Sequence, residues 1–408
     1  MDREALVISG SRILAGEGLE EVSGDILIED GRIRGIGQVG TRANAREVDA
    51  AGMYVVPGLI DGHVHFGLTG AANAYEFWRA SPLLRSLAQY RNGLIALANG
   101  VTSVRDLGAA DHSVIDYARE VEAGRLLGPA VTACGQFIVM TGGHGWEWGR
   151  QADGVDEVRR AVREQIRAGA AVVKLMATGG LSTPGSADSP ELTIDELKAG
   201  VEEAHKAGLK AAAHAHNSAG IAAALEAGVD SIEHAALATE ADFRSLVDNG
   251  TTLVPTLVAI SHIRSGIAID EAVVRKTEAV REQFTEAIRT AIRSGVTIVA
   301  GTDAGTALNP IGRVVDEITE YVRLGMPTLD ALASATTRAG KLLGNGAGVI
   351  QEGAPADLLA LRGDPRRDLA WLRKPSWTAA RGRLVSSDWV EATIASLPPL
   401  GPVFSQAQ

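Results

Sequence analysis

A chain of 408 residues with 46% hydrophobic and 22% charged residues can bury a large core, which excludes a disordered chain and predicts one big domain with an appendage. Its formal net charge of -11 argues against a nucleic-acid partner, since phosphate binding needs clustered Lys and Arg, and points to a small-molecule substrate. Cys134 is the single cysteine, which excludes an intrachain disulfide and a thiolate metal cluster, so any metal site must be built from His and oxygen ligands.

The opening MDREALVISG is acidic and has no long apolar core, so it does not read as a signal peptide. No later stretch is long and apolar enough to span a bilayer, and a cytoplasmic location is expected. From ALVISGSRIL through GDILIEDGRIRGIG, short β-rich runs alternate with Gly, Ser and Asp-Gly turns, the pattern of antiparallel hairpins. At MYVVPGLI the texture changes to short apolar runs separated by longer amphipathic segments, as in βα units around a parallel sheet. Further strand ends are expected near VTSV, AVTAC, AVVKLM, LKAAAH, DSIEH, TLVPT and VTIVAG, which with MYVVPGLI gives the eight of a (β/α)8 barrel. Between them, TIDELKAGVEEAHKAG opens with a capping-box pair, Thr193 and Glu196, and stops at Gly208. After GMPTLDALASATTRAGKLLG the β texture returns in GVIQEGAPADLLALRG and TAARGRLVSS. The expected fold is therefore α/β: a TIM-like barrel over 57–344, with a small β-sandwich built from both termini, 1–56 and 345–408.

Barrel enzymes carry their reacting groups at the C-terminal ends of the strands. His63 and His65 in GLIDGHVHF share one face of an extended segment, because strand side chains alternate with a period of two. Lys174 ends the fourth run, His214 the fifth and His234 the sixth, while Asp303 follows the eighth. In a closed barrel these ends face one centre. Four His, one Lys and one Asp there suit two zinc ions.

The set GLIDGHVHF, VVKLMATGG, AAAHAHN, DSIEHA and AGTDAG resembles the amidohydrolase superfamily, in particular its branch of binuclear zinc prolidase-like and carboxypeptidase-like enzymes that also contains ochratoxin-hydrolysing amidases. The resemblance covers nearly the whole chain. It implies that His63, His65 and Asp303 hold one Zn2+, that His214 and His234 hold the other, and that Lys174 bridges them as a carbamate formed with carbon dioxide. Such an anion suits two cations, whereas an ammonium repels them. The resemblance favours His214 over His216 as ligand. It implies a hydroxide generated at neutral pH between the metals, with Asp303 as the catalytic proton shuttle to the leaving nitrogen. The expected substrate is a small dipeptide or N-acyl amino acid. A cyclic amide, carbamate, urea or lactone is the alternative, and an inert scaffold of the same fold is disfavoured because every ligand position is filled. Self-association into a homo-oligomer is common in the family.

The loop MTGGHGWEWGR follows the third run, and its glycines would let backbone and ligand approach closely. His144 resembles the histidine of the branch's TGGH motif, which implies a catalytic or substrate-binding role on the carbonyl or a carboxylate; a purely structural role is the other reading. Trp146 and Trp148 either line a substrate pocket or pack the loop. Gly179 and Gly180 are expected to permit the turn after Lys174, and Arg105 with Asp106 to form a buried ion pair behind the ligands. Cys134 reads as packing, and His112, His205 and His262 as surface or packing residues.

Overall fold

The computed structural model of the chain describes residues 5–40, 45–72, 74–181, 187, 189–261, 263 and 271–396. His262 lies outside them, as do 1–4, 41–44 and 397–408 of the expected terminal domain.

Leu6–Ala15 pairs antiparallel with Glu20–Glu29, and Arg32–Gly37 returns alongside through the turn Asp30-Gly31. Both turn residues have positive φ, 53° and 74°, the left-handed geometry that Asp-Gly supplies in a two-residue hairpin. A bulge between Ile8 and Ser11 bends the first strand, whose first half pairs with Arg46–Asp49 and whose second half pairs with Tyr54–Pro57. From the other end of the chain, Leu358–Leu361 pairs with Tyr54–Pro57 and leads to Trp377–Ala380 and Arg383–Val385. The sandwich expected from the two termini thus takes the form of one eight-stranded sheet. Strand alternation divides its faces: Leu358 packs in a small core with Ile8, Ile26 and Val55, while Leu359 and Leu361 join the large core with Val56 and Leu59.

The remainder is parallel α/β. Leu59–Val64, Val101–Asp106 and Ala130–Ala133 form a three-stranded sheet. A second sheet includes Val172–Met176, Lys210–Ala215, Ser231–His234 and Thr252–Val254 in that order. Ala171 N donates to Ala133 O across one gap between them, and on the other side Ile298 bridges to Leu253 while Ala304 bridges to Val64. Two expectations are corrected. MYVVPGLI is two strands, split at Gly58, where a Cβ would lie 2.1 Å from the Thr102 hydroxyl: Tyr54–Pro57 belongs to the terminal sheet and Leu59–Val64 to the parallel one. VTIVAG is not a regular strand but an extended segment bridged only at Ile298, because its backbone groups divide between Leu253 on one side and Gly62 and Ser334 on others.

The helices follow the sequence signals. Thr193 and Glu196 form the capping box of Ile194–Lys206, and Val155–Ala168 ends at Gly169 with φ of 104°. Among the described residues no helix is long and apolar enough to cross a membrane.

Leu359 is fully buried where the terminal sheet meets the parallel layer, and even a Cβ on Gly100 would come within 2.9 Å of it. Leu359→Ala is expected to cost about 2–5 kcal/mol by leaving a cavity there. Urea unfolding measures this; a shift below about 0.5 kcal/mol would mean that the joint contributes little.

Candidate metal centre

The strand ends bring together groups that the sequence places up to 240 residues apart. His63 and His65 project from the end of Leu59–Val64, and Asp303 Oδ1 lies 3.4 Å from His63 Nε2 and 3.0 Å from His65 Nε2. The three residues offer ligand atoms all within 4.8 Å of one another, a grouping suited to a metal ion. His234 stands 5.1 Å from His63 between ring centroids and 4.6 Å from His214. His216, disfavoured as a ligand against His214, is buried in the same cluster, 4.6 Å from His214 and 5.2 Å from His234.

Four of these imidazoles are aimed by a bond on one ring nitrogen. His63 Nδ1 donates to Glu233 Oε2 at 2.8 Å, and His65 Nδ1 donates to Gly108 O at 2.9 Å. His234 Nδ1 pairs with Thr256 Oγ1 at 2.7 Å, so these three rings turn Nε2 inward. His214 is reversed: its Nε2 donates to Gly179 O at 3.1 Å, which leaves Nδ1 for a cation. Burial is the first cause that keeps these rings neutral. It takes His63 down to about 4, helped by the Lys174 charge, and lowers His214 and His234 far below the ordinary range. His65 is the exception: burial alone would lower it, but its bond to Asp303, the Asp303 and Asp106 charges and the bond to Gly108 O together raise it.

Lys174 is 2% exposed, and its Nζ has no hydrogen-bond partner among the described residues. Burial lowers the amine to about 8. A buried unpaired ammonium is costly, so this atom calls for chemistry that removes or neutralises its charge. Asp303 behaves oppositely: burial would raise its carboxyl, but the bond from His65 and the nearby His63 and Lys174 charges hold it below its usual value.

Backbone strain gathers at the same place. His234, Ala235, Thr256 and Asp303 have positive φ values of 74°, 54°, 58° and 56°, a conformation costing non-glycine residues about 1–3 kcal/mol each. The positive φ at His234 interrupts strand alternation, so Glu233 and His234 both reach the histidine cluster.

Arg105 and Asp106 do not pair with each other, because adjacent strand residues point to opposite faces. Arg105 Nη2 instead meets Glu233 Oε1 at 2.8 Å, with its other nitrogens on Gly62 O and Ser231 Oγ. Burial alone would raise Glu233, but Arg105 and the His63 bond hold its carboxylate well below the ordinary range. Asp106 accepts from Phe66 N and Gly108 N, so it shapes the backbone on both sides of His65. Sequence reasoning passed over Glu233 and also Asp61, which accepts from Thr302 N, Thr302 Oγ1 and His63 N. The available signal was a carboxylate inside a buried apolar run in both LIDGHV and DSIEH.

His144 lines the cavity over this cluster, 4.5 Å from His214, and burial takes its ring to about 3. Trp148 also lines it and stands 5.0 Å from the His65 ring; Trp146 is 44% exposed and is not part of the lining. Trp78, Leu181, Ile260 and Phe284 supply apolar wall. Gly180 has no positive φ, and its role is space: a Cβ there would lie 2.2–2.5 Å from the His144 ring. Cys134 is sealed among Leu107, Val172 and Ala212, while His112 and His205 bond to Gln165 and Asp230 away from the cluster.

The amidohydrolase family model matches residues 54–393. The chain belongs to the amidohydrolase family. It is an amide-hydrolysing enzyme, and metal binding fits that family. The ochratoxinase of Aspergillus niger is 33% identical over 382 residues, covering 85% of this chain and 77% of that protein. The crystal structure of a Xaa-Pro dipeptidase with bound methionine superposes with a TM-score of 0.85 at 29% identity, over 94% of this chain and 100% of the other. A putative prolidase from Bifidobacterium longum gives 0.83 at 25% identity, over 97% and 100%. These place the chain in the ochratoxinase-like branch of the superfamily.

Glu233 holds both a buried arginine and the His63 ring. Glu233→Gln is expected to lower stability by about 3–5 kcal/mol, since a buried cation loses its partner. It should also weaken divalent-metal binding about 10–100-fold through His63. Denaturant unfolding of the metal-free protein and competitive zinc titration read the two effects separately; unchanged affinity would remove Glu233 from the metal site.

Proposed function

We propose that this enzyme is a binuclear metal-dependent amidohydrolase that cleaves the amide bond of small dipeptides or N-acyl amino acids. The two parallel sheets are read as one closed (β/α)8 barrel over 57–344, linked through the Ala133, Leu253 and Val64 contacts, with 1–56 and 345–408 as the terminal domain. A cytoplasmic homo-oligomer is the assembly we assign. The observation that carries the reading is the meeting of His63, His65, His214, His234 and Asp303 around a buried lysine whose Nζ has no partner among the described residues.

This donor set fits two divalent cations, zinc foremost: imidazoles with one ring nitrogen fixed, three of them held neutral by burial, an ionised carboxylate, and a lysine that needs modification to become a ligand. His63, His65 and Asp303 would hold one, His214 and His234 the other, and Lys174 both. When bound, the pair supplies Lewis-acid polarisation of the scissile carbonyl and an acidified water. Asp303 takes the proton from that water at its carboxylate and passes it to the leaving nitrogen as the C–N bond breaks. His144, neutral through burial, donates a ring N–H to the substrate carbonyl or carboxylate. Trp148 supports His65 and lines the substrate cavity beside it; Trp146 has no part in the reading. The named dipeptidase and ochratoxinase relatives support amides flanked by an amino acid, and the apolar wall suits such side chains.

The test is a panel of dipeptides and N-acyl amino acids set against hydantoins, lactones and carbamates, with zinc-loaded enzyme. Turnover confined to the second group would overturn the substrate assignment. Asp303→Asn should keep the fold by circular dichroism while lowering kcat by about 100–10,000-fold, the scale of a lost general acid-base; parental turnover in that variant would refute the proton shuttle.

Lys174 reacts with carbon dioxide as the neutral amine, forming an N–C bond and releasing one proton. With the amine lowered to about 8, its reactive fraction grows as pH rises to that value and levels off above it. Reactivation of the chelated enzyme by zinc should therefore need bicarbonate, and its rate at a fixed carbon dioxide concentration should rise between about pH 6 and 8. Equal recovery without bicarbonate, in carbon dioxide-free buffer, would exclude the carbamate.

A further inference from the structure

The loop that carries His144 is tied down by side chains on its polar edge. Thr141 N and Oγ1 donate to Asp153, and Gly142 N donates to Gln151 Oε1 at 3.0 Å. The last tie is of a different kind. His144 N donates to Glu191 Oε1 at 2.6 Å, and Glu191 belongs to another loop, the segment returning beside the end of the Lys174 strand. That segment is itself anchored: Gly179 N donates to Ser189 O, Glu191 N to Ala177 O and Leu192 N to Met176 O. One carboxylate therefore joins the His144 backbone to the end of the strand that holds Lys174.

The fit around this bond is close on both sides. A Cβ on Gly143 would come within 2.7 Å of Glu191 Oε2, and a Cβ on Gly180 would strike the His144 ring. Glu191 Oε2 is buried and has no hydrogen-bond partner among the described residues, so among them the bond from His144 N is the one this carboxyl accepts. Burial lifts that carboxyl to about 7.

We propose that Glu191 is a positioning residue for the reaction: by accepting the His144 N–H it fixes the His144 ring beside His214, and it acts on the substrate only through His144. The inference rests on the reading that His144 touches the substrate. Without the carboxylate, the Gly142-Gly143 turn can relax, and a displacement of about 1 Å at a reacting group costs on the order of 100-fold in rate.

The experiment is a double-mutant cycle on zinc-loaded enzyme, with zinc content checked in each variant. Glu191→Ala should lower kcat/KM about 10–100-fold with zinc content unchanged. In the His144→Ala background the same substitution should have no further effect beyond about twofold. Glu191→Gln, which keeps an acceptor and resembles the neutral acid, should recover most of the loss. A loss in the His144→Ala background as large as in the parent, a parental rate in Glu191→Ala, or no recovery with Gln would overturn the proposal. His144→Ala with the parent's activity would instead bring down the reading of His144 itself, a separate outcome.

Discussion

The site depends on a backbone seam in which residues 300–304 lie against residues 61–65. Gly62 N donates to Ala300 O at 2.8 Å, Asp303 N to His63 O at 2.7 Å, and His65 N to Ala304 O at 2.7 Å. Asp61 completes the seam by accepting from the backbone and hydroxyl of Thr302. These groups are buried, so each bond lost would leave a costly unpaired donor or acceptor. Gly301 admits the approach, since a Cβ there would sit 2.9 Å from His63 Cβ and 3.0 Å from its N. Through this seam a carboxylate from the end of the parallel domain meets two imidazoles from its start.

Burial then decides the electrostatics of everything the seam brings together. It pushes most of the clustered imidazoles toward neutrality and lifts the carboxyls of Asp61, to about 7, and Asp106, to about 6. Glu233 and Asp303 escape because each has cationic or imidazole partners that outweigh desolvation. The outcome is a cluster of mostly neutral imidazoles, His65 beside Asp303 being the exception, with two stabilised anions and one lysine without a partner among the described residues, a donor set that suits a cation. The strained φ values at His234, Thr256 and Asp303 lie at the same place, where strand ends turn into corners beside the cluster.

Two layers of support stand behind the cluster, and they differ in how readable they were. Arg105, Glu233 and Ser231 form a charged layer inside the strands, while Trp148 and Gly180 set the positions of His65 and His144 by contact. His63, His65, Lys174, His214, His234 and Asp303 were legible because each is a polar residue at the end of an apolar run, and the βα rhythm says where such ends point. Glu233 and Asp61 were not, since a residue inside a run gives no indication of its partner. The pairing of Arg105 with Glu233 rather than Asp106 follows from strand alternation plus strand order, and only the first of these is written in the sequence.

By itself the sequence determined the class of fold, the change from hairpins to βα units, the capped helices and the set of candidate ligands, because these rest on periodicity and on local backbone chemistry. Tertiary structure alone decided that MYVVPGLI serves two sheets, that the eighth run is bridged rather than a full strand, that His216 joins the histidine cluster and that Trp146 stands outside the cavity. Those outcomes depend on which segments lie side by side, and the free energy of that choice comes from contacts between residues distant in the chain, which no local pattern encodes.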